Sequence, residues 1–123
     1  MLTKALYFDK VSSMTATGQS LWKDDRTQQL ARVLASIDDE FAMRCFLRDV
    51  LTEKEIIEIS ARLEAARMLR GKAKYTDIVT ATGLSSRTVA RISDWLKSGT
   101  GGYDTALNAI EEHHAHLPPA RAE

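Results

Sequence analysis

The chain has 123 residues, 44% hydrophobic and 28% charged, which fits one soluble globular domain and excludes a disordered composition. Seventeen Lys and Arg balance seventeen Asp and Glu, so the overall charge is zero and only its distribution can point to a polyanionic partner. The single cysteine, Cys45, excludes an intrachain disulfide and fits a reducing compartment. No apolar run nears the ~20 residues of a membrane span, and the N-terminus lacks the apolar core of a signal peptide, so a cytoplasmic protein with no membrane partner is expected.

Residues 1–19 show no sustained period and read as a flexible N-terminal arm, with Met14 as an alternative start to Met1. From Ser20 to Ala35 the apolar positions Leu21, Trp22, Leu30, Val33 and Leu34 suit a helix. Asp38 or Asp39 offers the N-cap of a second helix ending near Val50, with Phe41, Cys45, Phe46 and Val50 on one face. Thr52 to Glu55 has the form of a capping box and opens a third helix running to Arg70, striped by Ile56, Ile59, Leu63 and Ala66 and closed by Gly71. A short helix over Tyr75–Ala81, a turn at Thr82-Gly83-Leu84 and a helix over Ser86–Lys97 follow. Gly99 to Gly102 then break the chain before a last helix over Tyr103–His116. The two prolines, Pro118 and Pro119, fall in a disordered tail over 117–123. The fold class is therefore all-α: six helices in a single domain over 20–116.

The charge is unevenly placed. Residues 61–100 carry Arg62, Arg67, Arg70, Lys72, Lys74, Arg87, Arg91 and Lys97 against Glu64, Asp77 and Asp94, a net of +5, while the flanking segments are both acidic. Within that segment, residues 75–97 have the pattern of a helix-turn-helix. Gly83 can take the positive φ of the turn. Ile78 and Val79 face inward, Leu84 plugs the corner, and Val89 and Ile92 pack back onto the first helix. The opposite face holds Ser85, Ser86, Arg87, Thr88, Ala90, Arg91 and Asp94. Ser85 or Ser86 caps the second helix, whose free amides favour a phosphate. Arg87 is placed for a base edge, Arg91 for base or backbone, and Ala90 leaves room for close approach. Lys72 and Lys74, just before the first helix, suit the phosphate backbone. Double-stranded DNA is thus the expected partner, against the plainer reading of a solvated arginine face.

Other features are plainer. His113 and His116 share a helical face but lack further ligands, and no metal is expected. Cys45 reads as a small hydrophobe, Trp22 as a dimer or core anchor, and Trp95 as a core or pocket filler. No phosphate loop, nucleophile elbow or acid pair is present, so neither an enzyme nor a cofactor is expected.

The stretch Leu51-Thr52-Glu53, Arg62-Leu63-Glu64, Met68 to Gly71 and Tyr75 to Lys97 resembles the Trp repressor family. Arg62 to Arg70 and Gly101-Gly102-Tyr103-Asp104 are most similar to its YerC/YecD branch. The resemblance implies a six-helix subunit, an intertwined homodimer, and two reading helices on successive major grooves of a palindromic operator. Helices carrying Trp22, Phe41 and Phe46 also need more apolar cover than one small subunit gives. In the founding member, tryptophan lies between two arginines beside a glycine and a serine. Arg91 matches the second arginine and Arg62 the first, while Ile92 stands for the glycine and Trp95 for the serine. Arg62, Arg91, Ile92 and Trp95 are therefore the candidate effector pocket. Its bulk predicts that tryptophan is not the corepressor, leaving another small-molecule effector or none. A sequence-specific repressor is expected. The alternatives are a sigma-factor-type or initiator-type DNA module, and a protein–protein adaptor that keeps the fold without specific DNA binding.

Overall fold

A computed structural model describes residues 20–116, and the side chains of 20–112. The expected arm over 1–19, the tail over 117–123, the choice between Met1 and Met14 and the His113 and His116 side chains lie outside the described residues. Within them the chain is wholly helical: α1 Asp25–Ser36, α2 Glu40–Val50, α3 Glu53–Arg70, α4 Tyr75–Thr82, α5 Ser86–Ser98 and α6 Gly102–His116. It forms two compact units that divide between Ser60 and Ala61.

In the first unit, each helix start is fixed by a local cap. Asp24 accepts the Arg26 guanidinium at 3.0 Å and its amide at 2.7 Å, which, in that order, hold the Asp24 carboxyl below its usual range. Asp39, rather than Asp38, caps α2 by accepting the Ala42 amide at 2.8 Å. At α3 the capping box forms as the spacing predicts: the Glu55 amide donates to Thr52 Oγ1 at 3.1 Å, and the Thr52 amide donates to Glu55 Oε1 at 2.9 Å. These caps hold helices that bury little. Neither α1 nor α2 has a buried residue. Of the face expected to be apolar on α2, Phe46 is half-buried, while Cys45 and Val50 are exposed and Phe41 is 73% exposed. Cys45 is thus not packed as a small hydrophobe within this subunit, and Trp22 is no core anchor here at 48% exposure.

The second unit has a core. Ala65 and Ala66 of α3, Ile78 of α4, Val89 and Ile92 of α5 and Leu107 of α6 are buried together, with Leu63, Leu69, Val79, Leu84 and Ile110 against them. The two alanines let other side chains come close to the α3 backbone. Leu107, fully buried on the last helix, is a core residue that the sequence pattern did not single out. Arg70 ties α3 to α6, donating to Asn108 Oδ1 at 3.0 Å and to Glu111 Oε1 at 2.5 Å, with Asp104 at 3.9 Å.

The end of α3 differs from the sequence expectation. Gly71 does not take the left-handed conformation; Lys72 does, with φ +69°. The Ala73 amide donates to Met68 O and the Lys72 amide to Leu69 O, both at 3.0 Å, which is the Schellman pattern with Lys72 at its left-handed position. A Cβ on Gly71 would meet Met68 O at 3.5 Å and Arg67 O at 3.6 Å, ordinary contacts. A side chain in the left-handed region costs about 1–2 kcal/mol.

Two outcomes follow. Lys72→Gly should raise unfolding free energy by about 1 kcal/mol, and Gly71→Ala by about 0.4–1 kcal/mol, both read from urea unfolding; a destabilised Gly71→Ala would mean that Gly71 holds the left-handed turn. The bonds from the Thr52 amide and then its hydroxyl hold the Glu55 carboxyl below its ordinary 4.5. A depressed carboxyl stabilises the fold above the unfolded value, and that contribution is lost as pH falls through the folded value. An NMR titration should therefore place Glu55 below 4.5 in the parent protein and move it upward in Thr52→Ala. A parent value at or above 4.5 would contradict the capping geometry.

Candidate nucleic-acid interface

The turn between α4 and α5 is built by three local interactions. Gly83 takes φ +73° and donates its amide to Val79 O at 2.9 Å, so a residue without a Cβ closes α4 in the left-handed region. Thr82 Oγ1 donates to Ile78 O at 2.7 Å, and the Leu84 amide donates to Thr82 Oγ1 at 3.3 Å. Ser85 then caps α5, accepting the Thr88 amide at 3.1 Å while its hydroxyl lies 3.0 Å from Thr88 Oγ1. Of the two candidate serines, Ser85 is the cap and Ser86 begins the helix.

The inward residues are as the spacing predicts: Ile78, Val89 and Ile92 are buried, and Val79 and Leu84 are half-buried against them. The outward residues Ser85, Ser86, Arg87, Arg91 and Asp94 are exposed, with Thr88 and Ala90 half-buried between them. Lys72 and Lys74 are exposed before α4, where Lys74 precedes the first helical residue without a side-chain cap bond.

Side-chain pairing sharpens the charge argument. Arg26, Arg44, Arg48, Arg67 and Arg70 hold carboxylates, Arg32 donates to Gln28, and Arg62 also has a partner. Arg87 and Arg91 are the arginines with no side-chain partner among the described residues. Glu64 holds Arg67 through a hydrogen bond that lowers the Glu64 pKa and raises that of Arg67. Two of the cations behind the +5 count, Arg67 and Arg70, are thereby partly neutralised. The unpaired ones are Lys72, Lys74, Arg87, Arg91 and Lys97, all at or near the two helices. A guanidinium left without a carboxylate keeps its donors for a phosphate or a base edge.

The candidate effector pocket fares differently. Ile92 is buried in the core, so it fills space rather than lining an opening. Trp95 is 44% exposed and is not a core filler. Its indole lies along the chain where Gly99 has no side chain: a Cβ there would fall 2.7 Å from Trp95 Cε3. Arg62 and Arg91 are both exposed. Among the described residues no group of three or more His, Cys, Asp or Glu could hold a metal ion, and no helix is long and apolar enough to cross a membrane.

Comparison with known proteins places this geometry in a family. The profile of the Trp repressor protein family matches residues 25–111. An uncharacterized protein of Bacillus subtilis (strain 168), YerC, is 37% identical over 84 residues, 68% of this chain and 81% of YerC. The crystal structure of a TrpR-like protein from Eubacterium eligens ATCC 27750 superposes with a TM-score of 0.65 at 34% identity, covering 78% of this chain and 95% of that one. With helices throughout the described residues, a capped helix-turn-helix and these relatives, the chain belongs to the Trp repressor family, which has the fold of a DNA-binding regulator and is not an enzyme family.

Proposed function

We propose that this protein is a cytoplasmic, sequence-specific transcriptional repressor that binds a palindromic DNA operator as a homodimer. The observation that carries the reading is the pair Arg87 and Arg91, one turn apart on the exposed face of α5 and without side-chain partners among the described residues. Arg87 lies in the first turn of α5, where a reading helix meets base edges, and guanine O6 and N7 are its best acceptors. Arg91 reaches base or backbone one turn further on. Lys72 and Lys74 hold phosphates beside the groove, and the α5 N-terminus adds its free amides. Ala90 lets the helix approach closely, and Asp94 can accept from a cytosine amino group.

The homodimer is supported by the first unit. Leu21, Trp22, Leu30, Phe41, Val50 and Ile57 are each about half exposed or more, on a unit whose α1 and α2 bury no residue. That much apolar surface needs a partner, and a second copy offers the same self-complementary patch by two-fold symmetry. Two-fold symmetry then sets the reading helices about one DNA turn, ~34 Å, apart. Tryptophan is not the corepressor: Ile92 occupies the core where the founding member has glycine, and Trp95 stands at the serine position.

Selection of duplexes from a random pool is expected to recover a palindrome. On the recovered duplex, Arg87→Ala and Arg91→Ala should each lose about 1–3 kcal/mol of binding. Arg67→Ala, whose guanidinium is already held by Glu64, should leave affinity unchanged, and saturating tryptophan should not alter it. Failure to enrich any sequence, with both arginine variants indistinguishable from the parent, would favour an adaptor that keeps the fold alone.

A further inference from the structure

The second unit contains a cleft of about 210 Å³, and of its lining residues the DNA reading uses only Lys72. Leu69, Arg70 and Lys72 from the end of α3 line one part of it; Ser93, Leu96 and Lys97 of α5 and Asp104 of α6 line the rest. Its walls are therefore two leucines, and its charged rim carries three cations against one carboxylate. Arg70 is held in place by Asn108 and Glu111 of α6. Lys72 and Lys97 have no side-chain partner among the described residues. Ser93 is 7% exposed, the buried polar residue of this unit, and its hydroxyl makes no hydrogen bond to any described residue. It is not a sealed orphan either, and Ser93 is among the residues that line the cleft. Buried hydroxyls are ordinarily bonded, and one left open beside two unpaired ammonium groups is a donor awaiting an acceptor.

We propose that this cleft binds a small organic anion, an anionic head on a short apolar body. The head accepts from Ser93 Oγ and from the Lys72 and Lys97 ammonium groups, and the body lies between Leu69 and Leu96. A volume of 210 Å³ is below the ~300–1,000 Å³ of drug-sized sites, so the ligand is a small metabolite. A duplex phosphate is the weaker fit, because it meets exposed cations and leaves both a buried hydroxyl and two leucine walls unused. The site shares no residue with the pocket implied by Arg62, Arg91, Ile92 and Trp95. Because α5 carries Ser93 and Lys97 as well as Arg87 and Arg91, an occupant touches the same helix that the DNA reading uses; that regulatory consequence rests on the DNA reading, whereas binding itself does not.

The test is an NMR titration of the DNA-free, full-length protein with butyrate, with inorganic phosphate, and with a short mixed-sequence duplex. Butyrate should give saturable shifts at the Ser93, Leu96 and Leu69 resonances, and phosphate should bind the same residues more weakly. Ser93→Ala should weaken butyrate about tenfold, the loss of one hydrogen bond to a charged group. Lys97→Met, which keeps the apolar stem, should abolish saturation while leaving the spectrum folded. Shifts that are absent or unsaturable with both anions overturn the proposal. So does binding of the duplex alone at Ser93, which would assign the cleft to the DNA backbone.

Discussion

The α4–α5 corner depends on one buried cluster. Ile78, Val89 and Ile92 meet Ala65 and Ala66 of α3 and Leu107 of α6, and this contact consumes the apolar face of both helices of the helix-turn-helix. The left-handed Gly83 allows the turn, and the Ser85 cap fixes where α5 begins. With the inner face committed, Arg87 and Arg91 have only solvent or a ligand to meet. Replacing Ile78 or Val89 by alanine would remove buried methyl groups worth a few kcal/mol. The loss would reach DNA binding through helix placement rather than through any lost contact with DNA.

The two units contrast in how they are stabilised. The second holds a continuous core and long-range ties such as Arg70 to Asn108 and Glu111, across 38 and 41 positions of sequence. The first holds caps and short-range ion pairs, among them Arg44 with Glu40 and Arg48 with Glu53. Exposed pairs of that kind contribute about 0–1 kcal/mol each, far too little to replace a core. A helical pair with good caps and large exposed apolar side chains fits the proposed homodimer, in which a second copy would cover them.

Much of this was legible in the residues themselves, where the determinant is local. Thr52 to Glu55 reads as a capping box because both bonds are made within four residues. Gly83 reads as a turn because its position requires a backbone that other residues resist. Val89 and Ile92 read as inward because helical spacing decides it. What escaped was set by distant or competing groups. Gly71 looked like the left-handed residue ending α3, but the bonds to Met68 and Leu69 select Lys72, one position later. Arg70 counted as free positive charge, and only the arrival of α6 pairs it. Leu107 could not be ranked above its neighbours without knowing which side of α6 meets α3 and α5. Trp95 looked like a filler, yet Gly99 lets the indole lie along the chain and remain half exposed.

The most direct measurement is retention of sheared genomic DNA by the purified protein at two salt concentrations, with sequencing of what is held. A sequence-reading dimer enriches a palindromic site whose half-sites lie about one DNA turn apart, with affinity falling steeply as salt rises because phosphate contacts release counterions. Uniform retention at low salt that vanishes near physiological salt, with no enriched sequence, would contradict it. The arginine face would then be a basic surface and not a reader.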